Sequence, residues 1–449
     1  MVAGATALTA LTHQACAQSS DALLNKLVDK GVLTTEEAQQ LREEDQQEYT
    51  NRFKSSFDKM TGTPSWVTGF KFSGDFRGRY EQFATPDNNN YADRTRFRYR
   101  LRVGVVANML DSLEVGFGLA SGDAAQGSSG QGNPLSENTT LQNNGTGKGI
   151  YIDQAYGKWT AIHSDEWQLA TTIGKMSNPF NFTAMLFDPD YNPEGAAITG
   201  SHTINDQQSI AFTGAAFVLD EESGSTRDPF MAGGQVLLNS KWSDKLSSSV
   251  GVGAFQFGNT AQLTAANVPY QNQGNTRNAA GGLVNNYNPI IADANTTYKF
   301  DRFPLYPGVF PVKIGGEFVN NPAASDNNNG YWAGVTFGKA GKKHTWDLSY
   351  RYEYLEANAW YDQITDDDNG AFYQFAPVGA PAGTGTGIYG GTNVKGHLIK
   401  GNYSITDSLT LTLTCYITDL ISNPATQNGI DVEPNNEAIH AMADITWKF

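Results

Sequence analysis

The sequence has almost no cysteine, no long apolar run and little charge for its size. Its two cysteines, Cys16 and Cys415, cannot supply a disulfide framework. No window approaches 18 consecutive apolar residues, which excludes a membrane-spanning helix and leaves spanning strands open. Charged residues are 17% of the 449, low for a soluble enzyme, and acidic residues outnumber basic ones 46 to 31. The net charge of −15 argues against a nucleic-acid partner and suits a cell-envelope surface. G-x-S-x-G, H-E-x-x-H, C-x-x-C and P-loop patterns do not occur. His13, His163, His202, His344, His397 and His440 show no metal-ligand spacing and have no nucleophile motif beside them. Neither enzyme activity nor a cofactor is expected. Asp366, Asp367 and Asp368 with Asn369 could hold Ca2+ weakly, but they lack EF-hand spacing and read more plainly as a solvated loop tip.

What is plentiful is glycine, 47 residues, and aromatic side chains at 12%. Ahead of them, residues 1–17 are mostly small and apolar, and Ala15-Cys16-Ala17 fits an A-x-A cleavage site, so these residues read as an export leader. A lipobox at Cys16 competes, with His13, Gln14 and Ala15 matching it poorly. Residues 18–62 carry helical signals. Leu23, Leu24, Leu27 and Val28 recur at helical spacing, Gly31 stops that run, and Thr34 with Glu37 forms a capping box for a second helix. A periplasmic helical segment and a loosely ordered spacer are both open readings.

From residue 63 the signal changes to strands. Tight connections near 108–112, 162–165, 205–207, 242–245, 303–308, 340–343 and 405–408 alternate with long polar ones at 85–92, 123–148, 176–193, 221–228, 259–289, 321–329, 358–392 and 421–435. Seven tight and eight long connections imply sixteen strands. Soluble sandwiches do not sort connection length by parity, whereas outer-membrane barrels place short turns on the periplasmic side and long loops outside. The expected fold is therefore all-β: a transmembrane antiparallel barrel over residues 63–449.

Period-two alternation names the faces. Phe70, Phe72, Phe76 and Tyr80 share one face of the first strand; Leu113, Val115, Phe117 and Leu119 share one face of the third. Strands near 149–161, 208–219 and 394–405 alternate less clearly. Trp66, Trp159, Trp167, Trp242, Phe303, Tyr306, Trp332 and Trp346 fall at strand ends, as interfacial girdles require. DRTRFRYRLRVG puts Arg94, Arg96, Arg98, Arg100 and Arg102 on one face, with Thr95, Phe97, Tyr99, Leu101 and Val103 on the other. Neighbouring arginines in such a row lie about 7 Å apart and repel by roughly 0.6 kcal/mol in water, but by about 2 kcal/mol at an effective dielectric of 20. The row needs a hydrated bore with carboxylates nearby, and about half of it is expected in ordinary ion pairs with residues such as Asp75, Glu81 or Glu114.

Three stretches resemble the bacterial "putative porin" family of outer-membrane proteins: LLNKLVDKGVLTTEEAQQL, the basic strand FRGRYEQF…DRTRFRYRLRVG, and GKMSNPFNFTAMLFDPDYNPEGAA over residues 174–197. The closing HAMADITWKF, which ends on an aromatic, resembles the signal read by the barrel-insertion machinery. The resemblance implies passive diffusion of small hydrophilic solutes and ions across an outer membrane, and a homotrimer. A structural or anchoring barrel with little channel activity is the alternative. Within residues 176–193, Phe180, Phe182, Met185, Leu186 and Phe187 are too apolar for a wet loop, so the segment is expected to fold inward. It would carry Asp188, Asp190 and Glu194 toward Arg77, Arg79 and the Arg94–Arg102 row, forming a charged neck in the pore.

Overall fold

The computed structural model describes residues 30, 34, 37 and 41, then 62–84, 93–123, 131–269, 273–370, 390–422 and 437–449. The expected leader and most of segment 18–62 lie outside these. Within that segment the Thr34 amide donates to Glu37 Oε2 at 2.8 Å, and the Glu37 amide donates to Thr34 Oγ1 at 3.2 Å, the two bonds of a capping box.

Residues 69–449 form one compact unit. Its strands are β1 (Val67–Ala84), β2 (Arg94–Met109), β3 (Leu113–Gly122), β4 (Thr139–Thr140), β5 (Gly149–His163), β6 (Trp167–Lys175), β7 (Glu194–Asn205), β8 (Gln208–Val218) and β9 (Phe230–Lys241). There follow β10 (Leu246–Gly258), β11 (Ile290–Phe300), β12 (Phe310–Asn320), β13 (Asn329–Gly338), β14 (Trp346–Leu355), β15 (Val394–Ser404), β16 (Leu409–Leu420) and β17 (Ala438–Lys448). Setting aside the two-residue β4, which pairs with β2 beyond the end of β3, sixteen antiparallel strands each bond to the next. β17 returns to β1 in the register Asp75↔Lys448 to Ala84↔Ile439, so the sheet has no free edge and the barrel is closed. Among the described residues no helix is long and apolar enough to cross a membrane.

Connections alternate short and long around most of the barrel, while 301–309 and the following 321–328 are of nearly equal length. The turn at one end between β7 and β8 is 206–207, while loops at the other end reach 356–393. The outward face is apolar and exposed: Phe72, Phe117, Ile173, Ile314 and Leu413 all point away from the bore. Such a face is stable against acyl chains and not against water. Near the turn end Phe303 stacks on Phe310 with centroids 3.9 Å apart, and Trp346 donates to the Leu305 carbonyl, an aromatic belt of the kind expected. Trp332 is a correction to that belt. It lies on the inward face of β13, and the Arg351 guanidinium sits over its ring.

β5 resisted reading because its alternation breaks twice. A bulge leaves Asp153 unpaired between Ile152 and Gln154, and another leaves Ala161 unpaired between Thr160 and Ile162. Each extra residue flips the outward parity, from Ile150 and Ile152 to Trp159 and back to Ile162.

Candidate functional site

The inward faces of β1 and β2 carry the cationic residues that the alternation assigns to them. Arg77 donates to Asn138 Oδ1 at 2.7 Å and lies 4.0 Å from Asp444. Arg79 grips Asp444 through both oxygens, at 2.8 and 2.9 Å, with Asp368 at 3.5 Å. Arg96 pairs with Glu81 and lies over the Phe83 ring. Arg98 lies 3.5 Å from Glu81 and donates to the Asn138 carbonyl. Arg100 and Arg102 share Asp75, at 3.0 and 2.7 Å, and both reach Glu137 and Asp190. Arg94 opens β2 at its loop end.

Within the row Arg96, Arg98, Arg100 and Arg102, more than the half expected, have a carboxylate within 4.0 Å, as do Arg77 and Arg79 of β1. The reason is register. β17 places Asp444 opposite Arg79, and β1 carries Asp75 and Glu81 on the face that β2 meets. Glu81 has 0% of its surface exposed, and burying an ionised carboxylate is tolerable only among several cations. Asp444 was readable on the inward face of HAMADITWKF. Glu137 and Asp368, in loops, had no periodicity to reveal them.

The segment 176–193 packs against the inner wall. Met176, Phe180, Met185, Leu186 and Phe187 join Phe217, Phe255 and Phe257 from the strands in one buried cluster. Polar bonds fix its path: the Asn181 amide donates to Gln235 Oε1 at 2.8 Å, and Thr183 Oγ1 donates to Glu317 at 2.7 Å. Burying several aromatic rings, each worth about 2–3 kcal/mol, outweighs the ordering of such a loop. A second inward segment, 356–369, adds Ala359, Trp360, Tyr361 and Ile364 to the cluster. This second segment was missed, since its apolar residues are spread among polar ones. The Asp188 amide donates to the Ile364 carbonyl at 2.8 Å, and the Asp366 amide donates to Ala184 at 3.1 Å, so the two segments are laced together. Asp362 anchors the second segment to a third, accepting from the amides of Gln273 and Asn275.

Two corrections follow. Asp366, Asp367 and Asn369 are buried at this junction, not at a solvated tip. Glu194 is not with the other acidic residues. It lies on the outward parity of β7, shared with Ile198, and pairs with Lys175 at 3.3 Å. A strand start at Glu194 fixes that parity.

Asp188, Asp366 and Asp367 bring carboxylate oxygens within 4.8 Å of one another. Burial, together with the neighbouring Asp368 and Glu353, pushes the Asp366 carboxyl up to about 7; burial and Asp367 push Asp188 well above the usual carboxylate range. The chemistry of this set is that of shared protons. Tyr416 donates to Asp366 at 2.9 Å, and the Asp190 amide donates to Asp188 at 2.7 Å. Asp190 behaves oppositely: although burial opposes it, Arg100, Arg77 and Arg102 hold its carboxyl below the usual range.

Between these loops and the turn end lies a cavity of about 550 Å³. Arg77, Arg79, Arg100 and Arg102 line one side, Asp188, Asp190 and Asp366–Asp368 the loop side, and Lys313, Arg351 and Lys400 the rest. Arg94, Arg96, Arg98 and Glu194 do not line it.

Residues 82–299 match a protein-family model described as putative porin. No curated protein matches the chain. Among solved structures, the high-pH structure of Pseudomonas putida OprB is similar over 85% of this chain and 94% of its own, at 11% identity and a TM-score of 0.50, a likeness of fold. An engineered mutant of the Rh. blastica porin aligns over 85% of this chain and all of its own, at 10% identity and a TM-score of 0.40.

Proposed function

We propose, from the match of residues 82–299 to the putative-porin family model, that this chain is an outer-membrane channel for passive diffusion of small hydrophilic solutes and ions. The observation that carries the proposal is the division of each wall strand. The outward side chains are apolar and exposed, while most inward side chains around the cavity are charged or hydroxylic, with Trp332, Leu398 and Met442 among them. An inside-out barrel of this kind has acyl chains as its outer solvent and water as its inner one. The neck of the channel is formed by Arg77, Arg79, Arg100 and Arg102 facing Asp188 and Asp190. Arg94, Arg96 and Arg98 continue the basic strip toward the loops.

In this reading the neck acts by shape and field. The paired charges keep the wall hydrated without a large net potential, and the laced loops narrow the bore from one side. Planar-bilayer recording of the purified full chain tests it. Discrete, roughly ohmic steps are expected, and a silent bilayer containing folded protein would refute it.

A second reading is favoured by the cluster around Phe255, Phe257 and Trp360, which fills part of the interior with side chains. A structural barrel with little channel activity would use that filling to stay shut. The same recording separates the two.

A further inference from the structure

The arginine row is the conspicuous charge in this barrel, yet each arginine lining the cavity from β1 and β2 has a carboxylate within 4.0 Å. Lys313 and Lys400 differ. Both line the same cavity, both are exposed although they point inward, and among the described residues neither makes an ion pair within 4.0 Å. An exposed, inward lysine stands in the water of the bore.

The sheet register places the two lysines in one row. Lys313 pairs with Thr336, Thr336 with Ser349, and Ser349 with Lys400. Strands about 4.8 Å apart set the two lysine Cα atoms about 14 Å apart along the wall, within reach of one small ion by two flexible side chains. The hydroxyls of Thr336 and Ser349 lie between them on the same face. One step toward the loops the row reads Gly315, Gly334 and Arg351, so no side chain stands above Lys313 or Thr336, while Arg351 stands above Ser349. Two ammonium groups bracket the Thr336 hydroxyl and the Ser349 hydroxyl, which donates to the Lys400 carbonyl at 3.3 Å until an anion takes that bond, a donor set that matches an oxyanion.

We propose that Lys313, Thr336, Ser349 and Lys400 form a binding station in the lumen for small oxyanions, the carboxylate- or phosphate-bearing solutes, and that these lysines set the ion preference of the channel in place of the arginine row. The proposal rests on the channel reading for its transport consequence, but not for binding. Two unit charges about 6 Å from a permeant ion in water, screened about twofold by salt at that distance, together favour an anion over a cation by about tenfold. A guanidinium with a carboxylate at 3 Å presents little field beyond a Debye length of about 8 Å.

The test uses the full chain with Lys313→Gln and Lys400→Gln combined, and Lys313→Arg with Lys400→Arg as the charge-preserving pair. In a bilayer under a KCl gradient, the neutral pair should lower the anion-over-cation permeability ratio about tenfold and abolish block of the chloride current by inorganic phosphate; the arginine pair should keep both. Acetate in place of phosphate separates carboxylate from phosphate recognition. Independently of current, the 31P line of inorganic phosphate should broaden with wild-type protein in detergent and not with the neutral pair. Conducting channels whose selectivity and phosphate line are the same in wild type and neutral pair overturn the station and leave the channel. A silent bilayer with intact phosphate broadening overturns the channel and leaves the station.

Discussion

Arg100 reaches Asp190 of the loop at 3.0 Å with one guanidinium nitrogen and Asp75 of β1 at 3.0 Å with another, so a single wall residue ties the loop to the barrel seam. All three side chains are largely buried. Removing one partner of such a pair strands the others, at a cost of about 3–5 kcal/mol. Arg100→Gln should therefore increase current noise and expose the 176–193 loop to protease. Arg100→Gln with Asp190→Asn should be closer to wild type than the sum of the two single changes predicts, since no charge is left alone. Strictly additive protease half-lives in the four-member cycle would show that the tie carries no coupling.

Trp360 has 0% of its surface exposed and packs edge-on against Phe255 and Phe257, with centroids 5.2 and 5.6 Å away. Trp360→Ala leaves a cavity that this cluster cannot close, worth about 3–5 kcal/mol. The sixteen strands do not depend on it, because their bonds run around the wall. Loss of near-ultraviolet circular dichroism with an unchanged far-ultraviolet β signal is the expected outcome. A variant with both signals intact would place the ring outside the cluster.

The wall was far more legible than its contents. Parity of connection length and alternation in β1, β3 and β16 are local properties, and they gave the strand number and the lipid face before any contact was known. Where a bulge at Asp153 inserted one residue, the same local rule failed, since period two has no memory across a break. The apolar run Phe180–Phe187 was conspicuous enough to signal burial. Trp360, Tyr361 and Ile364 were not, because they are interspersed with the polar residues Asp362, Gln363 and Thr365, and Asp362 finds its partner in the amide of Gln273, far away in the chain. For the same reason Asp366 and Asp367 read as solvent-facing: burial of an acid depends on neighbours hundreds of residues away. The lysines of the lumen were legible as inward residues and carried no mark of being unpaired.

The junction of the two inward segments should respond to pH. The fold raises the Asp366 carboxyl to about 7 by burial and by Asp368 and Glu353, and burial and Asp367 raise Asp188 well above the usual carboxylate range. A carboxyl raised by folding contributes stability that is present in full below its unfolded value near 4 and is lost as pH rises through the folded value. The junction is thus tight at pH 5 and loosens above about 7, as ionised Asp366 meets Asp368 and Glu353 with Arg351 as counter-charge. Amide exchange at residues 184–190 and 362–368, corrected for intrinsic rates, should be faster at pH 9 than at pH 5. Asp366→Asn should flatten that dependence. Equal protection at both values in the wild type would refute it.

Closure of the barrel depends on Gly74. Its amide donates to the Phe449 carbonyl at 2.9 Å, and the Phe449 amide returns a bond to Gly74 at 3.1 Å, where β17 meets β1. A Cβ on residue 74 would stand 2.5 Å from the Arg102 carbonyl oxygen and 2.5 Å from the Phe449 ring. The ring can turn away, but the carbonyl belongs to a strand bonded on both sides and cannot. Gly74→Ala should therefore strain the β1–β2 seam, and Gly74→Val should do so more, because branching removes the one rotamer that could slip past the ring. Heat-modifiable migration on gels reads the outcome directly: the compact, unboiled band should weaken from wild type to alanine to valine. Gly78 is the control, since a Cβ there meets only the Ile445 methyl at 3.6 Å. Gly78→Ala should keep the compact band at wild-type strength, and equal loss at both positions would mean that glycine content, not contact at the seam, governs closure.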